Sequence, residues 1–270
     1  MRTGQMGASG ACSGQLLKCD DHFVGVGGPW ALNPEQDLPM YVGHLAIGLA
    51  LKARYPQIPT LPILLGVGFL DILDGLFIVL GWNQVTPNLL AGPYLFFDLT
   101  FIDWDHSLLA ALLWSAVWGC LFLKDKRVAL MAFVASFSHF VADWPMHNSD
   151  LALFPYSVAH LGFGLWGKLG TLSWVLEGAF VAVLAAYAWI ASARRGVSLL
   201  WPCVVLALSF VNLSPWLSPM KHVATLGEPA AHLVHGLLVT LGFLVPGLLL
   251  TWLVNRAERC RTLPSPVRHA

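Results

Sequence analysis

Six stretches of the chain, at about residues 60 to 81, 107 to 123, 128 to 146, 172 to 193, 198 to 217 and 231 to 254, are strongly apolar. Each approaches the roughly 20 apolar residues that a helix needs to cross a hydrocarbon core about 30 Å thick. Backbone polar groups in lipid need internal partners, and these runs lack the alternation of strands, so they read as helices and not as barrel strands. Of the 270 residues, 57% are hydrophobic and only 11% are charged, far from the mix of a soluble domain. A formal net charge of zero, with no basic stripe, leaves no electrostatic footprint for nucleic acid. The expected fold is an all-α, polytopic membrane helix bundle with about six spanning helices.

An earlier stretch, MYVGHLAIGLALKARYP, holds about a dozen apolar residues before Lys52 and Arg54, which is short for a span at about 1.5 Å per residue. It reads as a short amphipathic or half-inserted first helix. Residues 1–39 are Gly-rich and lack the apolar run of roughly 7 to 15 residues found in a signal peptide. They read as a disordered tail, with translation expected to begin at Met40. A helical membrane core over 40–155, further transmembrane helices over 156–254 and a basic cytoplasmic tail over 255–270 complete the expected organisation. Cys12, Cys19, Cys120, Cys203 and Cys260 form no CxxC pair and no disulfide framework.

Basic residues set the orientation. Lys52, Arg54, Lys124, Lys126, Arg127, Arg194, Arg195, Arg256, Arg259, Arg261 and Arg268 fall in segments that share one side, while the opposite loops hold only Lys168 and Lys221. This places the carboxy terminus in the cytoplasm, and the chain as a multi-pass protein of a bacterial inner membrane. Asp71 then lies near the middle, and Asp74, Asp103, Asp105, His106, His139, Asp143, His147 and His160 lie in the outer half or at the outer surface. His44 joins them if the first helix enters from outside.

Ionisable side chains in a span are costly unless they face a bundle interior, pair with one another or line a pathway. Asp71 and Asp74, in GFLDILDGLF, share one helix face, and two carboxylates there need either a proton or a cation between them. His139 and Asp143, in SHFVADWPMH, share another face. Pro145 is expected to end or kink that helix, so that His147 need not follow the same stripe. In FIDWDHSLL either Asp103 or Asp105 can cap the next helix. Asp98, Asp103, Asp125 and Asp150 otherwise read as solvated loop or interface residues. Three segments thus bring imidazoles and carboxylates to one depth, where a divalent ion would neutralise them; nitrogen and oxygen ligands suit Zn²⁺, Mn²⁺ or Fe²⁺, with Zn or Mn favoured. Glu177, inside the fourth stretch, has the cluster, Asn212 or a proton as its expected partner. His232 and His235 read as interface residues or, alternatively, as inward-facing ones, and Trp82, Trp104, Trp144, Trp166 and Trp216 as an aromatic belt.

The early histidine of YVGHLAIGLAL, the acidic LLGVGFLDILDG, the DHSLL that opens a span, and SHFVADWPMHNSDLALFP together resemble the YdjM-like family of membrane-bound metal-dependent hydrolases. The resemblance runs from about residue 40 to 155. It implies metal-site roles for His44, for Asp71 or Asp74, and for His106, His139 and Asp143. A metal held by such a set lowers the pKa of bound water, and Asp143 or Asp74 is then the candidate base; an aspartate that orients a ligand histidine is equally consistent with Asp143. At this depth the expected partners are the bilayer itself and a lipid or lipid-linked ester or phosphoester. The alternative function is proton- or cation-coupled transport, which predicts a polar trail to the inner face; the inner halves of the spans hold almost no ionisable residues.

Overall fold

The computed structural model describes residues 40–147 and 151–262, without the side chain of residue 262. The expectations for residues 1–39 with Cys12 and Cys19, for Asp150, and for the end of the basic tail with Arg268 lie outside the described residues. The elements in chain order are α1 (Val42–Arg54), α2 (Thr60–Leu64), a 3-10 turn (Gly66–Gly68), α3 (Phe69–Val79), strands β1 (Gln84–Pro87) and β2 (Phe97–Phe101), α4 (Asp103–His106), α5 (Leu108–Cys120), α6 (Lys126–Asp143), α7 (Leu165–Leu169), α8 (Thr171–Ala193), α9 (Leu200–Asn212), α10 (Met220–Val223) and α11 (Ala230–Thr262).

The protein is mostly helical. Three segments, Thr60–Val79, Thr171–Ala193 and Ala230–Arg261, are long and apolar enough to cross a membrane. Two further apolar helices, Leu108–Cys120 and Leu200–Asn212, are shorter, and α6 carries Lys126, Arg127 and Asp143 within its 18 residues. Leu113, Val183, Leu208, Leu241, Val245 and Trp252 present large apolar side chains outward along these helices. A surface of this kind is suited to lipid.

The sheet is a departure from an all-α reading. β1 and β2 pair antiparallel as a small hairpin in the connection between α3 and α4. The sequence around Phe97 explains it: Phe97 and Leu99 are buried while Asp98 and Thr100 point away, the period-two pattern of a strand with one covered face. Asn88 closes the loop by donating to both carboxylate oxygens of Asp98 at 2.9 Å.

Two packings position the site. The segment Thr60–Val79 runs antiparallel to α11, and a Cβ on Gly75 would strike the Gly236 carbonyl oxygen and Thr240, just as one on Gly236 would strike the Gly75 carbonyl. Only the glycine pair permits backbones this close. α1 runs parallel to α8: Glu177 meets its amino end, and Arg195 Nη1 donates to the Ala53 carbonyl near its carboxyl end. Lys52 Nζ ties the same end of α1 to Glu258 of α11 at 3.1 Å.

Candidate metal centre

His139 and Asp143 project one turn apart from α6, and their facing atoms, Nε2 and Oδ2, lie 3.0 Å apart. The helix ends at Trp144 and Pro145, yet the His147 N–H still donates to the Asp143 carbonyl at 2.8 Å. This i to i−4 bond carries the turn past the proline. The helix ends as expected, and His147, whose place the proline left open, is buried on the same stripe with Nε2 3.9 Å from Asp143 Oδ1.

His106 comes from α4, and its cap differs from the expected aspartates. Ser107 caps α5 by accepting the Ala110 N–H, which frees both acids for other partners. Asp105 Oδ2 holds His106 Nδ1 at 2.8 Å. Asp103, only 6% exposed, accepts the Tyr156 N–H at 2.8 Å and fastens the loop that carries Tyr156, so it is not solvated.

Four atoms from three segments converge. The Nε2 atoms of His106 and His139 are 3.3 Å apart. Asp71 Oδ1 lies 3.3 Å from the first and 3.5 Å from the second. Asp143 Oδ2 lies 3.8 Å and 3.0 Å from the same two nitrogens. A tetrahedron whose ligands stand about 2.0 to 2.1 Å from a central ion has edges of about 3.3 to 3.4 Å. The five distances, 3.0 to 3.8 Å, bracket that edge, and the nitrogen and oxygen donors suit a divalent ion in ligand type.

His139 Nδ1 faces the Val67 carbonyl of the 3-10 turn at 2.8 Å, and His106 Nδ1 faces a carboxylate; both oxygens only accept. In neutral rings the protons sit on Nδ1 and both Nε2 lone pairs point inward at two carboxylate oxygens. Four acceptors facing one another need a cation or protons. In the absence of a cation, burial disfavours charge on His106, but Asp105 and Asp71 outweigh it and hold its pKa well above the ordinary histidine value.

His44 reaches the group from α1. Its ring stacks on that of His139, with centroids 3.7 Å apart, and its Nε2 lies 3.1 Å from Asp143 Oδ1, the oxygen turned away from His106. Asp74 stands one step back: Asn83 donates to it at 2.8 Å and also to Asp105, so an Asp74–Asn83–Asp105 chain supports His106 from behind. All of these side chains are buried, and three overlapping groups, His44 with Asp71 and His139, His106 with His139 and Asp143, and Asp74 with Asp105 and His106, could each hold a metal ion. No cysteine takes part in these groups, and Cys120, Cys203 and Cys260 are free thiols.

His160 is exposed and belongs to none of these groups. Trp82, Trp104, Trp144 and Trp216 are exposed as a belt requires, but Trp166 is fully buried, edge-on to Tyr94 at 5.1 Å between centroids. Glu177 has neither the cluster nor Asn212 as partner; it accepts the N–H groups of Tyr41, Val42 and Gly43 and the Tyr94 hydroxyl. Asn83 and the Val67 carbonyl carry no sequence signal beyond the glycines of LLGVGFL, which mark the break that precedes α3. Beside the four converging atoms lies a cavity of about 30 Å³, space for about two waters, whose wall includes Asp71, Asp74, His106 and His147. No protein-family profile, curated protein or solved structure matches the chain, and the geometry of the site alone carries its functional reading.

Proposed function

We propose that the chain is a YdjM-like, multi-pass membrane hydrolase that depends on a divalent ion, Zn or Mn, held by Asp71, His106, His139 and Asp143. The observation that carries this reading is the approach of the His106 and His139 Nε2 atoms to each other and to carboxylate oxygens of Asp71 and Asp143 at 3.0 to 3.8 Å, with the ring protons of both histidines committed elsewhere. His44 meets the other oxygen of Asp143 and holds that carboxylate in place. A divalent ion held in a cradle of these donors would need a further position for water, as five-coordinate Zn or octahedral Mn provides, and would lower the pKa of that water toward neutrality. Asp74, on the wall of the adjoining cavity, is the carboxylate placed to accept a proton from water entering there. Asp105 fixes the His106 tautomer, and the Val67 carbonyl fixes that of His139.

The shorter helices complete six spans in this reading, with the carboxy terminus in the cytoplasm of a bacterial cell and the site in the outer half. A lipid or lipid-linked ester or phosphoester is the substrate class that such a depth admits. The test is metal analysis of the protein purified in detergent, beside His139→Ala and Asp143→Ala prepared identically. Near-stoichiometric Zn or Mn in the wild type, lost in both variants, is the expected result. A well-folded wild type that takes up neither ion when supplied sinks the proposal.

A further inference from the structure

α11 brings a further histidine to the cavity. His235 is fully buried, lines the same cavity as Asp71, His106 and His147, and has no hydrogen-bond partner at either ring nitrogen. Its recorded ring neighbour is Phe97, with centroids 4.1 Å apart. His232, one turn earlier on α11, behaves differently and satisfies its Nε2 on the Ile78 carbonyl at 2.8 Å. Buried polar groups are almost always paired, so an imidazole with both nitrogens idle beside a cavity marks a place where a ligand supplies the partner. The other unclaimed polar atom contributed by the cavity-lining side chains of α3 is Asp71 Oδ2, which can only accept when ionised.

We propose that this cavity is a phosphoryl subsite, in which the oxyanion of a phosphate monoester lies between the cation of the cradle and the N–H of His235. The proposal rests on the metal site and narrows its substrate class from esters in general to phosphate esters. A neutral imidazole suffices, because it offers one N–H in either tautomer. An anion on the cation and a donor from α11 leave one protonated phosphoryl oxygen, and Asp71 Oδ2 is an acceptor for that hydroxyl. Leu95, Leu99, Met220 and Phe243 complete the wall with apolar surface, which keeps the charged contacts away from bulk water.

The probe is inorganic phosphate, titrated calorimetrically into Mn- or Zn-loaded protein in phosphatidylcholine nanodiscs, for the wild type and His235→Phe, with metal content measured on the same samples. The expected result is phosphate binding in the wild type, weakened by about tenfold or more in His235→Phe, as loss of a hydrogen bond to a charged group would do, at unchanged metal content. Where the phenylalanine variant fails to fold, wild type labelled with nitrogen-15 histidine decides instead: phosphate must move the ring resonance of a single buried histidine that is not a metal ligand. Metal binding without phosphate binding, phosphate binding indifferent to His235→Phe, or an unmoved ring resonance overturns the subsite and leaves the metal centre standing. Absence of metal from the wild type overturns both. Repeating the titration in discs that contain phosphatidic acid separates the sources. Competition assigns the phosphoryl group to a lipid and its absence to a soluble ester, and the subsite stands in either case.

Discussion

Glu177 Oε1 accepts the backbone N–H of Val42 at 2.8 Å, across 135 positions of chain. The Tyr41 and Gly43 N–H groups converge on the same oxygen at 3.1 and 3.0 Å, and the Tyr94 hydroxyl donates to the other oxygen at 2.8 Å. The first N–H groups of a helix have no internal partner and favour a negative charge. One carboxylate of α8 thus caps α1, and the next residue along α1 is His44. Glu177→Leu is expected to strand these donors, each at about 1 to 3 kcal/mol for a buried unsatisfied group, and to lower the unfolding temperature in detergent. Glu177→Gln keeps an acceptor oxygen and is expected to fold, with metal affinity weakened by about tenfold through His44 and Asp143. Chelator competition on the glutamine variant separates positioning from simple stability; unchanged affinity would assign Glu177 to the cap alone.

In the proposed metal centre Asp105 acts through His106. Its carboxylate fixes the ring tautomer from behind at 2.8 Å and is itself held by Asn83. Asp105→Asn, read by the same competition, is expected to weaken metal binding by about 10- to 100-fold, the usual loss when the partner of a ligand histidine is removed. Asn83→Leu should weaken it less, because Asp105 retains its contact with His106. A larger effect of Asn83→Leu than of Asp105→Asn would reverse the order of this chain.

What the sequence disclosed and what it hid divide along physical lines. The pairing of His139 with Asp143 follows from helix spacing, and Asp71 and His106 stand out because ionisable groups are costly inside apolar runs. The positions that escaped depend on contacts between distant segments or on backbone atoms. Val67 contributes a carbonyl, which every residue has. Glu177 meets backbone N–H groups that no side-chain pattern announces. His235 reads as an interface histidine until α11 is packed against α3, and Trp166 reads as a belt residue until α7 places it beneath Tyr94. His147 kept its place because one backbone hydrogen bond carried the turn past Pro145, a detail that proline statistics average away.

The crossing of α3 and α11 depends on glycine at Gly75 and Gly236, where an added Cβ meets backbone atoms that cannot swing aside. α3 carries Asp71 and Asp74 and α11 carries His235, so this crossing sets the width of the cavity. Gly75→Leu is expected to push the helices apart at a cost of about 1 to 3 kcal/mol or more for overpacking, and to lose bound metal as Asp71 leaves the cradle. Gly227→Ala, where nothing lies within 4 Å of the added Cβ, is the control and should change stability by less than about 0.5 kcal/mol. Thermal unfolding with metal analysis of the same samples reads both. A Gly75→Leu protein that keeps its metal and its unfolding temperature would show that the crossing does not govern the site.

Metal binding should release protons. Burial disfavours charge on His106, but Asp105 and Asp71 raise its pKa well above the ordinary value, so the metal-free ring favours a second proton, whereas a ligand nitrogen must present its lone pair. The sign follows: as pH rises toward the raised His106 pKa, less work is needed to remove that proton and apparent metal affinity increases, while acidification weakens it. Calorimetric titration of Zn or Mn in two buffers of different ionisation enthalpy measures the number released, and about one proton per metal is expected from His106 alone. In Asp105→Asn the ring loses its strongest stabilising partner, so the release at neutral pH should diminish even as affinity falls. Proton release that is unchanged in Asp105→Asn would mean that the displaced proton comes from another group in the cluster.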